Sequence, residues 1–268
     1  MKKASFNLPD GRQLTWYETG QGYPLVLLHG WSMSAAVFSE VAALLSSDFR
    51  LLIPDLPGHG ESSPALQNDL VGISADLSCW IAAMEKVPVT LIGWSLGGML
   101  SLEIARQNKL PVERLVLVST TPRFTLSDDW QFGLPLSQVH TLARDLEQRF
   151  EATLGGFFSL AFVGENITRE RLRMIRTFAV KQSSLPDRDA ALSLLNMLVV
   201  QDQRKSLSEI HQSALVLHGE LDQIAPVAAG HCLAEMLPQG SFTEFSGVGH
   251  CPFFSQPQVV AARIREFC

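Results

Sequence analysis

Ser95, His250 and Asp222 supply a hydroxyl nucleophile, a base to take its proton and an acid to orient the base. A serine hydroxyl is a weak nucleophile at neutral pH, so both partners are needed for covalent chemistry. Ser95 is the centre of Gly93-Trp94-Ser95-Leu96-Gly97, with the apolar run Val89-Thr90-Leu91-Ile92 before it and the helix-forming stretch Gly98 to Ala105 after it. Strand, Gly-x-Ser-x-Gly, helix predicts a tight turn that strains the serine backbone and lifts its hydroxyl clear of a sheet. Side chains at the flanking positions would collide with strand and helix, which calls for Gly93 and Gly97. The helix starts directly under the serine, where free N–H groups and the positive dipole end favour an oxyanion. The pentapeptide by itself is short enough to arise by chance as a glycine-rich turn. Its setting and its partners make it informative.

Catalytic groups in open parallel sheets gather at the carboxyl ends of strands, and that rule selects the partners. The apolar run Ala214 to Leu217 leads through His218 into Gly219-Glu220-Leu221-Asp222, and Ser241 to Phe245 leads into Ser246-Gly247-Val248-Gly249-His250. The order Ser95, Asp222, His250 is the one expected for a hydrolase of this architecture. His218 lies on a strand and reads as packed. His59 precedes Ser95, on the wrong side for the order, and the Asp55 loop reads as structural. His140, His211 and His231 sit in helical or polar surface contexts, and Glu220 yields to Asp222 on its Asp-x-x-x-Pro pattern. An oxyanion needs two donors. The N–H of Leu96, just after the nucleophile, is one; the other comes from the loop after Leu25 to Leu28, where Trp31 follows His29-Gly30. Both are backbone donors, so the side chains of Leu96 and Trp31 are free to line a pocket. For Trp31 a plain core role has equal standing.

The elements that must position these groups follow from hydrophobic periodicity. Ala4 to Leu8 and Gln13 to Glu18 flank Pro9-Asp10-Gly11-Arg12, a hairpin signal. Leu25 to Leu28, Leu51 to Ile53, Val89 to Ile92 and Arg114 to Ser119 read as strands buried on both faces. Helical stretches, Ala35 to Leu45 and Asp69 to Met84, lie between them. This alternation predicts an α/β fold: a mostly parallel sheet flanked by helices with right-handed crossovers. The alternation stops at Thr120. From there to about Leu207 helical periodicity dominates, in Leu136 to Phe150, Arg169 to Val180 and Asp189 to Val200, with many aromatics. The expected organisation is a core of residues 1–120 and 208–268 with a helical lid, 121–207, inserted between two strands. The absence of a flexible linker at either edge disfavours a separate helical domain. A closing helix runs from Pro257 to about Phe267.

Composition narrows the partners. The 268-residue chain carries a net charge of −6, which argues against nucleic acid. Cys79, Cys232, Cys251 and Cys268 show no paired spacing, so neither a disulfide framework nor a metal site is expected. Met1-Lys2-Lys3 has no apolar stretch behind it, and no later run is long enough for a membrane span. A cytoplasmic, monomeric protein without metal or cofactor is the expectation, with a small-molecule or carrier-linked acyl ester as partner and no membrane. Arg169, Arg173 and Arg176 fall at i, i+4 and i+7 and share one helix face, with Ile167, Leu172, Ile175 and Ala179 opposite. That face reads equally as a solvated surface or as a dock for an acidic partner.

Over nearly its whole length the chain resembles the α/β-hydrolase family. The resemblance rests on His29-Gly30-Trp31, Asp55-Leu56-Pro57-Gly58-His59-Gly60, Gly93 to Gly98, Leu221-Asp222 and Gly249-His250. Within it, Leu27 to Trp31, Pro122-Arg123-Phe124 and His250-Cys251-Pro252-Phe253 are similar to esterases that demethylate pimeloyl-[acyl-carrier protein] methyl ester in biotin synthesis. The resemblance implies a serine carboxylester hydrolase working through an acyl-enzyme, with Trp31 and Leu96 bordering the substrate and Phe157 near the acyl chain. It also implies acyl carrier protein as a partner, with Arg169 and Arg173 matching two of the family's lid arginines. Ala152 and Gly156 stand where others of that set occur, and the N-terminal hairpin is an extension. A broad carboxylesterase, a carbon–carbon bond hydrolase, a menaquinone-pathway lyase and a hydrolase-like ligand receptor share the scaffold. Haloalkane dehalogenases and epoxide hydrolases place an aspartate where Ser95 stands.

Overall fold

In the computed structural model, which describes residues 1–179 and 185–268, the chain opens with an antiparallel hairpin. Its strands are β1 (Lys2–Asn7) and β2 (Gln13–Thr19). Gly11 in the turn has φ of 89°, a left-handed conformation that costs glycine little. The remaining strands are β3 (Tyr23–Leu28), β4 (Phe49–Pro54), β5 (Val89–Trp94), β6 (Val112–Val118), β7 (Ser213–Gly219) and β8 (Gly240–Phe245). All eight form one sheet in the order β1-β2-β4-β3-β5-β6-β7-β8. The pairs β1–β2 and β2–β4 are antiparallel, and every other pair is parallel. Leu25, Val26, Leu27 and Leu28 are fully buried because helices cover both faces of a parallel sheet.

Helices α1 (Ser39–Leu45), α2 (Leu70–Met84) and α3 (Leu96–Gln107) connect the first strands. The single helix expected over Ala35 to Leu45 is split: Ala35–Phe38 is a 3₁₀ turn leading into α1. Asp69 caps α2 by accepting the Gly72 N–H at 2.7 Å. After β7 and β8 come α7 (Val227–Met236), α8 (Pro252–Ser255) and α9 (Pro257–Phe267).

Between β6 and β7 the chain runs through α4 (Leu136–Leu160), α5 (Arg169–Ala179) and α6 (Arg188–Val200). The predicted end of α5 at Val180 lies outside the described residues. Helix α4 continues past Phe150, where the sequence pattern ends it. It kinks at Arg149, with φ of −143° and ψ of 53°, and then resumes. The apolar spacing carries on through buried Leu154 and Phe158, while Gly155 and Gly156 face open space and interrupt no packing. Ile175 and Ala179 of α5 are buried, and Arg169, Arg173 and Arg176 are exposed, so the helix is amphipathic as its spacing predicts. Among the described residues no helix is long and apolar enough to cross a membrane.

Candidate active site

Ser95 sits at the tip of the turn from β5 to α3 with φ of 54° and ψ of −117°, a conformation rare for a non-glycine residue. The turn is held where it is strained. The Ser95 N–H donates to Val118 O at 2.9 Å, and Thr120 Oγ1 donates to Ser95 O at 2.7 Å. A Cβ on Gly93 would lie 2.3 Å from Gly97 O, and one on Gly97 would lie 2.0 Å from Leu28 O. Both positions therefore require glycine for packing reasons. The serine is partly exposed, and among the described residues its hydroxyl has no hydrogen-bond partner.

His250 and Asp222 approach from the ends of β8 and β7. His250 Nδ1–H donates to Asp222 Oδ2 at 2.7 Å, which leaves the Nε2 lone pair as the basic atom. Asp222 is fully enclosed. Its Oδ1 accepts the Ile224 and Ala225 N–H groups at 2.8 and 2.9 Å. Burial opposes its charge, but the charges and hydrogen bonds of His250 and His218 outweigh burial and hold the carboxyl far below the ordinary range. The acid is thus ionised across the working pH range. The Trp94 indole N–H donates to His250 O at 2.9 Å, fixing the histidine backbone against β5.

His218 is packed, as its strand position predicts, and it also faces the acid. Its Nε2–H donates to Ala225 O at 2.7 Å and lies 3.2 Å from Asp222 Oδ2. Sequence reasoning missed this second contact. The i, i+4 spacing from a strand end into its loop is the only sequence signal for it. Glu220 instead accepts the Gly247 N–H at an exposed position and stands apart from the imidazole.

The predicted oxyanion donors have the expected freedom. Neither the Trp31 N–H nor the Leu96 N–H donates to any described group of the chain. The loop carrying Trp31 is braced by two buried imidazoles. His29 Nε2 accepts the Leu56 N–H at 2.9 Å, and His59 Nε2 accepts the Ser32 N–H at 3.1 Å. Accepting at Nε2 requires neutral rings. Burial, and second the repulsion that a protonated His59 would exert, push His29 well down, and burial pushes His59 down to about 4.

Ser95, His250, Trp31 and Phe157 line one cavity, together with Phe158 and Leu198 from α4 and α6. Its free volume is about 20 Å³, room for roughly one water. The Trp31 and Phe157 rings meet edge-on at 5.0 Å, and the Trp31 indole N–H donates to Ala191 O at 2.9 Å. Trp31 is therefore both a packed aromatic and a cavity wall. Leu96 is buried and stands off the cavity, so its side chain does not line it as the sequence suggests. Arg169, Arg173 and Arg176 are exposed on α5, and none of them is among the residues that line the Ser95 cavity. Arg176 is engaged there by Ser159 Oγ and Gly155 O of α4, whereas Arg169 and Arg173 have no side-chain partner among the described residues. Among those residues no group of three or more His, Cys, Asp or Glu side chains converges on a metal position.

The chain has clear relatives. A family profile described as the alpha/beta hydrolase fold matches residues 23–257. A protein of Chromobacterium violaceum named pimeloyl-[acyl-carrier protein] methyl ester esterase is 35% identical over 251 residues, covering 92% of this chain and 94% of that one. A protein of the same name from Nitrosospira multiformis is 32% identical over 251 residues, covering 92% and 95%. Among solved structures, an esterase from Exiguobacterium antarcticum superposes with a TM-score of 0.90 at 24% identity over 98% of both chains. A bromoperoxidase from Bacillus anthracis superposes with a TM-score of 0.88 at 21% identity over 99% of both. Likeness at those identities speaks for the fold alone.

Proposed function

We propose, from the premise that this chain belongs to the α/β-hydrolase family, that it is a serine carboxylester hydrolase that demethylates pimeloyl-[acyl-carrier protein] methyl ester in biotin synthesis. Esterase chemistry is common to the named relatives, and the substrate is the one in their printed name. The observation that carries the mechanism is the 2.7 Å His250–Asp222 bond, with His250 and a strained Ser95 lining one cavity; the Leu96 and Trp31 N–H groups have no partner among the described residues.

In this mechanism Ser95 Oγ attacks the ester carbonyl as His250 Nε2 takes its proton. The carbonyl oxygen gathers charge and is met by the Leu96 and Trp31 N–H groups. Collapse of the tetrahedral intermediate expels methoxide, which takes the proton back from His250 and leaves as methanol. The acyl group is now an ester of Ser95. Water, deprotonated by His250, attacks it, and a second collapse returns Ser95 and releases the free acid. Asp222 holds the imidazole in the tautomer with Nε2 unprotonated and stabilises the imidazolium.

The cavity of about 20 Å³ is small for a pimeloyl chain, and the reading has the helices between β6 and β7 move as a lid to admit it. Lifting Phe157 and Phe158 of α4 away from Trp31 would open the apolar space the acyl chain needs. Arg169 and Arg173, exposed and without a side-chain partner among the described residues, would meet an acidic carrier protein. Arg176 is tied to α4 and contributes less than its shared face suggests.

The test is methanol release from methyl-pimeloyl carrier protein, beside hydrolysis of a small p-nitrophenyl ester. Release at a rate that saturates with carrier concentration supports the reading. Repeated turnover of the small ester with no methanol from the carrier-linked one would leave a broad carboxylesterase. A single burst on both would indicate a ligand receptor.

A further inference from the structure

The loop that presents His250 is held from outside the sheet, by the end of α4 and the segment that follows. The His250 N–H donates to Ala161 O at 2.9 Å. The preceding Gly249 N–H donates to Glu165 Oε1 at 2.7 Å, and Ser255 Oγ donates to Glu165 Oε2 at 2.6 Å. One carboxylate therefore spans the histidine, bonding the residue before it and the first turn of helix after it. The fit is close: a Cβ on Gly249 would lie 2.3 Å from Ala161 O and 2.9 Å from Glu165 Oε1. Glu165 is half-buried. Burial raises its carboxyl pKa, the Ser255 and Gly249 bonds oppose that rise, and the Asp222 charge adds to it. The nearby cation, Arg171, is engaged by Glu40 and Phe254 O. A carboxylate kept in that setting spends its hydrogen bonds on the histidine loop. No step of the mechanism above uses it.

We infer that Glu165 is a positioning residue: from the lid, it sets where the His250 imidazole stands relative to Ser95. The inference rests on His250 being the base. The loop needs such a brace, since Gly247 with φ of 70° and Gly249 leave it little intrinsic stiffness. Displacing a reacting group by about 1 Å can cost on the order of 100-fold in rate. The brace also couples lid to base, because a lid swing that moved residue 165 would carry the histidine loop with it.

Glu165→Ala should lower kcat for a small neutral ester by about 10- to 100-fold, counted per site titrated with a serine-reactive phosphonate, with KM within about 3-fold. Glu165→Gln keeps an acceptor for the Gly249 N–H and should return kcat to within about 3-fold of wild type. Ser255→Ala removes one bond and should cost roughly 2- to 10-fold. A purely structural tie would lower the amount of folded enzyme and leave kcat per titrated site unchanged, which would overturn the inference. A Gln variant as slow as the Ala variant would overturn it too. If Glu165→Ala does not fold, Ser255→Ala decides: wild-type kcat there sinks the proposal. Ser95→Ala and His250→Ala run alongside. Activity surviving in those two would sink the triad itself, whereas their loss with an unaffected Glu165→Ala would sink only the brace.

Discussion

The sheet side of the cavity stands on strand-end loops whose polar groups are matched inside the protein. Asp55 Oδ1 accepts the Ala35 N–H at 2.8 Å, and Oδ2 accepts the Glu61 N–H at 3.1 Å. The His29 and His59 rings meet edge-on at 5.2 Å and accept the backbone N–H groups already described. The lid side is built differently. Phe157, Phe158 and Leu198 project from helices with an exposed outer face and a kink at Arg149. Polar links to the core include Trp31 to Ala191 O, Arg171 to Glu40 and Glu165 to Gly249. Buried backbone hydrogen bonds fix position tightly and are costly to leave unmade. Apolar contact between helices is non-directional and can be re-formed after a shift. In the proposed function, that contrast would let one wall hold Ser95 and the Leu96 and Trp31 N–H groups still while the other opened to admit a chain.

The comparison breaks first at the sheet side. Ser95→Ala and His250→Ala should each lower ester kcat by about 10⁴-fold or more, and the double variant should lose little beyond either alone. Asp222→Asn should cost about 10³- to 10⁴-fold by favouring the wrong imidazole tautomer. Glu220→Gln should leave kcat unchanged, because its carboxylate serves only an exposed loop N–H. Steady-state kinetics on a p-nitrophenyl ester checks all five variants. Activity retained by Ser95→Ala would refute the covalent mechanism.

A smaller effect is expected from acid. Unfolded histidine takes up a proton near pH 6.5, and folded His59 resists until about 4. Between those values the unfolded chain binds more protons, so stability falls as pH drops through about 6.5 and this loss ends near 4. His59 alone corresponds to about 3 kcal/mol, and His29 acts in the same direction. Urea unfolding at pH 7, 6 and 5 should show that slope, and His59→Gln should flatten it. An unchanged slope in that variant would place the acid sensitivity elsewhere.

The smallest effect belongs to the lid surface. Arg169→Glu with Arg173→Glu should raise the apparent KM for a carrier-linked ester roughly 3- to 10-fold at low salt. Salt screens such charges over about 10 Å, so the difference should shrink as ionic strength rises. The same pair should leave kcat/KM for a small neutral ester unchanged. Equal effects on both substrates would make α5 an ordinary solvated face.

The residues of the proposed triad stand out because each sits where local pattern speaks: an apolar strand, then a turn, with the chemistry-bearing residue at the strand's carboxyl end. The flanking glycines of Ser95 and the strands β3, β5 and β6 follow from the same short-range rules. The split at Ala35 to Phe38 and the run of α4 to Leu160 were not legible, since helix boundaries depend on which face finds a partner. Leu96 shows a related limit: its place in the motif is readable, but which way its side chain is buried is not.

By itself the sequence determined the alternating strands and helices, the turn chemistry at Gly93 to Gly97 and the chain order of Ser95, Asp222 and His250. These depend on periods of two to four residues and on steric limits within a turn. Only tertiary structure decided that Glu165 reaches Gly249, 84 positions away, that His218 faces Asp222, and that Trp31 closes against Phe157 over about 20 Å³. Those contacts join segments brought together by the packing of a whole lid on a whole sheet. A half-buried carboxylate or an unpaired arginine acquires its meaning only from what that packing sets beside it.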